Sequence, residues 1–269
     1  GSLYLKVNGK ADASTGIDMR TQVLLGQIPM LFHPDPRSVL VVGLASGISV
    51  GSVATHPVEK IRVLEVEPAM TGACRAFAAF NHDVLEDPRV RVVFNDARND
   101  ILLRRETYDV IVSEPSNPWM TVASNLFTQE FFRDAHARLA PGGIFCQWFQ
   151  VYSLAPEDLR ALLATFRSVF PNVLAFGVGD ASDLIVLGSD RPLPLDYRAI
   201  ESRMTDLPTA IDLGRVEIRR PEDVLAHLYL ADPGLEDYVK GAALNTDDNA
   251  LIEFSAPLSL HSETIWTNQ

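Results

Sequence analysis

Two glycines, three isolated carboxylates and a carboxamide fall at intervals that could assemble one binding site. Gly43 and Gly47 bracket a turn in "VVGLASGIS". Glycine lets backbone approach a ligand closely, and such a turn opens a helix whose first N–H groups are free; the plainer reading is helix–strand packing. Glu65 ends the apolar run "IRVLE", 22 residues after Gly43. A carboxylate at that distance past a glycine turn is placed to accept from both hydroxyls of a ribose. Asp96 and Ala97 follow a third apolar run in "FNDAR". Asp96 reads as an acceptor for an exocyclic adenine amine or as the N-cap of the next helix, and one oxygen could serve each purpose. "SEPSNPWM", Ser113 to Met120, ends a fourth run. There Glu114 supplies charge, Pro115 and Pro118 stiffen the loop, and Trp119 offers an apolar or cation–π wall. The plainer alternative is a rigid turn with Trp119 packed on the following helix.

These residues need a scaffold that ends its strands at one crevice. From Ser38 onward strand and helix alternate: "SVLVVG", a helix near Ser49–Thr55, "IRVLEV", a helix opened by Pro68, "VRVVFND", and "YDVIVSE". The amphipathic "TQEFFRDAHARLA" follows, closed by Pro141-Gly142-Gly143, then the strand "GIFCQWF" and the helix "PEDLRALLATFRSVF". "NVLAFGVG" and "SDLIVLGS" supply a last antiparallel pair. Repeated units of this length predict a mainly parallel sheet of seven strands, covered on both faces. Open sheets of this kind bind ligands beyond the C-terminal ends of their strands. A glycine turn, Glu65 and Asp96 on three successive strand ends make an adenosine-binding set. The set fits S-adenosylmethionine better than NAD, because the third acidic position is used and the loop is not G-x-G-x-x-G. The fourth strand then brings "SEPSNPWM" to where a sulfonium would sit.

The chain divides into residues 3–35, 36–190 and 191–269. The first carries the hairpin signal Asn8-Gly9 and an apolar helix in "TQVLLGQIPMLF". The last reads as short helices, among them "RPEDVLAHLYL", followed by the acidic turn "NTDDN". With 269 residues and 47% hydrophobic content there is material for one large domain or one with a small appendage. The net charge of −12 argues against a nucleic-acid partner, because phosphate binding needs basic surface. Cys74 and Cys146 read as two buried thiols. No His/Cys spacing marks a metal site, no Ser-His-Asp arrangement can be argued, and His33 and His56 read as loop residues beside prolines. No apolar run approaches the ~18–20 residues that span a bilayer, and no signal peptide is visible. Gly1-Ser2 looks like a cloning scar, so the natural N-terminus is expected upstream, in a cytoplasmic setting.

The motifs "HPDPRSVLVVG", "LEVEPAM", "DPRVRVVFNDAR", "YDVIVSEPSNP" and "PGGIFCQW" resemble those of the polyamine aminopropyltransferases, the spermidine synthase family, from about Leu3 to Ser189. "EPSNPW", "LFTQEFF" and "NTDDN…IEF" resemble a spermidine-synthase-like branch often fused to membrane transporter domains. The resemblance implies an α/β class I methyltransferase-type Rossmann fold with a small N-terminal β segment, a homodimer, and a small amine or polyamine acceptor. It implies Glu65 as the ribose acid, Asp96 as the adenine-side acid, and Gln22 and Asp18 near the substrate groove. Several positions depart from the family pattern. Ser46 stands where the family's glycine loop carries a donor-binding aspartate, and Glu114 and Asn117 replace the two aspartates of the fourth-strand motif. Thr21 replaces a tyrosine.

Aminopropyl transfer is displacement at a CH₂ bonded to positive sulfur. The attacking amine must be neutral, although alkylamines ionise near pH ~10 as lysine does. Glu114 could take its proton; Asn117 could not. Ser46 removes a charge that would repel the carboxylate of intact S-adenosylmethionine. Three readings follow: aminopropyl transfer from decarboxylated S-adenosylmethionine, releasing methylthioadenosine; methyl transfer from the intact compound, releasing S-adenosylhomocysteine; or a non-catalytic nucleoside- or polyamine-sensing domain of a fused transporter. Gln147, Trp148 and Tyr152 are candidates for the acceptor pocket. Asp247 and Asp248 read as helix caps or as a hold on a polycation.

Overall fold

The computed structural model describes residues 1–7, 9–120, 123–179 and 181–260. Asn8 of the hairpin signal and residues 261–269 of the C-terminal stretch lie outside them. In chain order the elements are β1 (Tyr4–Val7), β2 (Lys10–Ser14), α1 (Met19–Phe32), β3 (Ser38–Val42), α2 (Ile48–Ala54), β4 (Lys60–Glu65), α3 (Met70–Ala76), β5 (Val90–Phe94), α4 (Ala97–Leu103) and β6 (Tyr108–Ser113). They continue with α5 (Gln129–His136), β7 (Leu139–Gln150), α6 (Pro156–Arg167), β8 (Asn172–Val178), β9 (Asp183–Ser189), α7 (Tyr197–Met204), α8 (Leu207–Gly214), α9 (Pro221–Leu225), β10 (Leu228–Ala231), α10 (Gly234–Val239) and α11 (Leu251–Ser255).

The central sheet has the order β10-β8-β9-β7-β6-β3-β4-β5. Neighbours from β7 to β5 are parallel, and β9, β8 and β10 join antiparallel. This is the mixed α/β, mainly parallel Rossmann architecture that the strand–helix alternation predicts. It has one strand more than the seven expected. "LYLA", expected as the end of a helix, forms β10 on the outer edge of β8. Pro141-Gly142-Gly143 also behaves differently from expectation. It lies inside β7, where the pairing with β6 shifts register between Tyr108 and Val110.

Each buried strand turns alternate residues to opposite faces, so the sheet has two cores. Val39, Val41, Val110, Val112 and Cys146 pack with α1 and α2 on one face. Leu40, Val42, Ile111, Phe145 and Phe149 pack with α5 and α6 on the other. Helix α1 is buried from Thr21 to Phe32 and lies against the first face. The strand order changes between β3 and β6, the switch point beyond whose strand ends open sheets of this kind bind ligands. Cys74 and Cys146 are free and buried. Among the described residues no helix is long and apolar enough to cross a membrane, and no group of His, Cys, Asp or Glu could hold a metal ion.

Candidate active site at the strand ends

Gly43 leaves β3 with φ 98°, a conformation that costs a side chain strain, and a Cβ there would stand 2.7 Å from the Glu114 carbonyl oxygen. The glycine thus lets the first and fourth strand ends touch. The Glu114 N–H donates to the Val42 carbonyl at 2.9 Å, which continues that contact. Gly47 takes φ 76° at the start of α2, and a Cβ there would stand 2.5 Å from Cys74 Sγ. It therefore serves packing on the side away from the crevice.

On one side of the crevice the Glu65 carboxylate is held by two backbone amides. Leu44 N–H donates to Oε2 at 3.0 Å and Glu67 N–H to Oε1 at 2.9 Å. Asp96 caps α4, accepting from Asn99 N–H at Oδ1 over 2.8 Å, and Ala97 follows as the buried first residue of that helix. The cap reading of Asp96 holds for that one oxygen.

On the other side a cavity of about 230 Å³ is lined by Glu114, Asn117, Tyr152, Trp148, Asp183 and Thr21, with Asp12, Asp18 and Gln22 toward the N-terminal segment. Ser49 donates to Glu114 Oε2 at 2.6 Å. Burial raises the Glu114 carboxyl to about 7; the Ser49 hydroxyl pulls it down and the Asp183 charge adds to the rise. Asn117 is fully buried, Nδ2 facing Tyr152 Oη at 3.4 Å, and its Oδ1 has no hydrogen-bond partner. Burial also raises the Tyr152 phenol.

Gln22 donates to the carbonyls of Ser14 at 2.9 Å and Asp18 at 3.2 Å and accepts from the Ser46 hydroxyl. It ties the hairpin to the glycine loop. Ser46 is buried in that contact, so its hydroxyl faces Gln22 rather than the crevice. Gln147 is not brought to the cavity. Period-2 alternation puts it on the opposite face from Trp148, fully buried, with only a 3.4 Å bond to the Trp148 carbonyl. Trp119 packs on the second core instead of lining the cavity. Asp247 pairs with Arg98, and the Asp247 N–H donates to Glu130, which pins the acidic turn. His56 is a buried loop residue bonded to Gln27, and burial lowers it to about 4.

Asp183 is the residue that sequence reasoning missed. It accepts from Thr21 Oγ1 at 2.9 Å and Trp148 Nε1 at 3.1 Å. Its only sequence signal is parity: along β9 it shares a face with Ile185 and Leu187.

The fold is a Rossmann-type α/β fold of the S-adenosylmethionine-methyltransferase type, with a mainly parallel central sheet. The model of the spermine/spermidine synthase domain matches residues 19–178, more than half of the chain, and the chain belongs to that family. It is 29% identical over 170 residues to a spermidine synthase of Dictyostelium discoideum, covering 63% of this chain and 60% of the relative. It is 28% identical over 149 residues to a polyamine aminopropyltransferase of Moorella thermoacetica, covering 55% and 52%. The matches thus span between half and two thirds of those relatives' lengths. In fold it is similar to a spermidine synthase crystallised with the transition-state analogue AdoDATO, with a TM-score of 0.70 and 20% identity over 87% of this chain and 80% of that one. It is also similar to human methyltransferase-like protein 13 in complex with SAH, with a TM-score of 0.51 and 19% identity over 80% and 94%.

Proposed function

We propose that this chain transfers an aminopropyl group from decarboxylated S-adenosylmethionine to an amine of the polyamine class, in the cytoplasm. The observation that carries the reading is Glu114: a half-buried carboxyl of raised proton affinity, at the tip of β6, opening into an acid-lined cavity beside the glycine loop. The residues present fit the donor. Glu65 is oriented by two amides to accept from ribose hydroxyls, and Asp96 stands one strand further on for the adenine amine.

The donor supplies a CH₂ carbon bonded to positive sulfur, which leaves as a neutral thioether with the electron pair of the broken C–S bond. Glu114 takes the proton that the attacking nitrogen gives up as its lone pair forms the C–N bond. Ser49 holds Glu114 by one oxygen. Asn117, steadied by Tyr152, lines the cavity beside Glu114 and shapes the amine's approach. A base near 7 is matched to neutral pH, and Glu114 works only when ionised, so turnover rises with pH through about 7.

Purified protein incubated with decarboxylated S-adenosylmethionine and 1,4-diaminobutane tests the reading. Mass spectrometry should find the diamine heavier by one aminopropyl group. A methyl gain from intact S-adenosylmethionine, or no product from either donor, would sink it.

A further inference from the structure

The glycine loop is also gripped on the side away from the crevice. Gly43, Ala45 and Gly47 take φ of 98°, 42° and 76°, and Ala45 carries a side chain that disfavours this region. A loop bent in this way keeps its shape only where its neighbours hold it. Asn81, buried, is such a neighbour: Nδ2 donates to the Ser46 carbonyl at 2.8 Å and to the Cys74 carbonyl at 2.9 Å. Those two bonds use both protons of its amide. A Cβ on Gly51 would stand 2.2 Å from the Asn81 carbonyl oxygen, so α2 packs directly on the same residue. Asn81 is held in turn from α8, which lies beyond the matched residues 19–178. Arg215, the residue after α8, donates from Nη1 to the Phe80 carbonyl at 2.6 Å. Asp212, fully buried on α8, accepts from His82 Nε2 at 2.6 Å and Gln27 Nε2 at 2.7 Å, and pairs with Arg215. His82 and Asp83 both take left-handed φ, 59° and 51°. The residues on either side of Asn81 are thus fastened to one short helix. The loop they support carries the Leu44 N–H that orients Glu65 Oε2.

Resting on the nucleoside half of the transfer reading, we propose that Asn81 is a positioning residue for the glycine loop, and that α8 sets Asn81 through Asp212 and Arg215. The C-terminal segment then governs nucleoside affinity from the far side of the loop. When the hold on Ser46 is lost, the loop shifts, Leu44 releases Glu65, and the ribose acid loses its direction.

The full chain and its variants are read by amide hydrogen exchange over residues 43–48 and by calorimetric titration with methylthioadenosine. Asn81→Ala should speed exchange in that segment about tenfold and weaken methylthioadenosine about tenfold, the scale of a buried carbonyl left unpaired. Arg215→Ala should move both readings the same way by about threefold. In the Asn81→Ala background it should add less than about twofold, because a residue that acts through Asn81 then has nothing to act on. Ser189→Ala removes a bond to the Gly143 carbonyl at the opposite end of the sheet and should leave both readings at wild-type values. Unchanged loop exchange or unchanged methylthioadenosine affinity in folded Asn81→Ala overturns the inference. So does an Arg215→Ala effect that adds in full to that of Asn81→Ala, or a Ser189→Ala chain whose loop loosens equally. Should Asn81→Ala fail to fold, Arg215→Ala decides alone, and wild-type exchange in it is the overturning result. If exchange changes as expected but the wild-type chain binds no methylthioadenosine, the nucleoside reading falls and the hold of Asn81 on the loop stands.

Discussion

Glu65 and Glu114 end the two strands that flank β3, one on each side, yet the fold treats the two carboxylates differently. Glu65 receives backbone amides at both oxygens, from the glycine loop and from its own strand exit. Glu114 receives the Ser49 hydroxyl, lies among buried groups and faces the charge of Asp183. Amide donors hold a carboxylate in one orientation as an acceptor. Burial with few donors raises its proton affinity and makes it a base. The first arrangement suits holding a sugar; the second suits moving a proton.

The largest expected effect separates the two roles. Glu114→Gln should lower kcat by about a thousandfold, the usual scale of a general base, with methylthioadenosine affinity preserved in calorimetry. Glu65→Gln should do the converse: methylthioadenosine binds about tenfold to hundredfold more weakly, and kcat at saturating donor changes little. If both variants lose binding and turnover together, the division between the sides is wrong.

The contrast also has a stability signature. The Glu114 carboxyl moves from 4.5 to about 7 on folding, so the folded chain favours its neutral form. Stability is therefore lost as pH rises from 4.5 to about 7 and stays lost above. Glu114→Gln, which cannot ionise, should gain about 2 kcal/mol over the wild-type chain in urea unfolding at pH 8 and lose that gain near pH 4. The smallest effect sharpens the nucleoside side. Asp96→Ala should cost about 1 kcal/mol in thermal unfolding through the lost cap, whereas Asp96→Asn keeps the cap and weakens only adenosine binding.

The strand-end placement of Gly43, Glu65, Asp96 and Glu114 was legible in the sequence because parallel strands buried on both faces read as apolar runs, so a lone polar residue at a run's C-terminal end stands out. Asp183 lies beyond that signal for a geometric reason. β9 runs antiparallel, so its beginning reaches the crevice, and its acid precedes the apolar run. Its partners Thr21 and Trp148 come from elements 162 and 35 residues away, which no local pattern joins. Gln147 failed for a related reason. With both faces of β7 buried, hydrophobicity does not tell which of two adjacent polar or aromatic residues faces the cavity. β10 was missed because four residues after a helix signature carry no alternation of their own, and its partner β8 lies some fifty positions earlier.

That eighth strand limits how the molecule can be divided. Leu228 to Ala231 covers the outer rim of β8. A polypeptide cut after Asp190 would leave that rim's amides and carbonyls bare, an open template for sticking to other chains. The last third of the protein is thus a seal as well as a flank, and a shortened version should precipitate where the longer one stays dissolved.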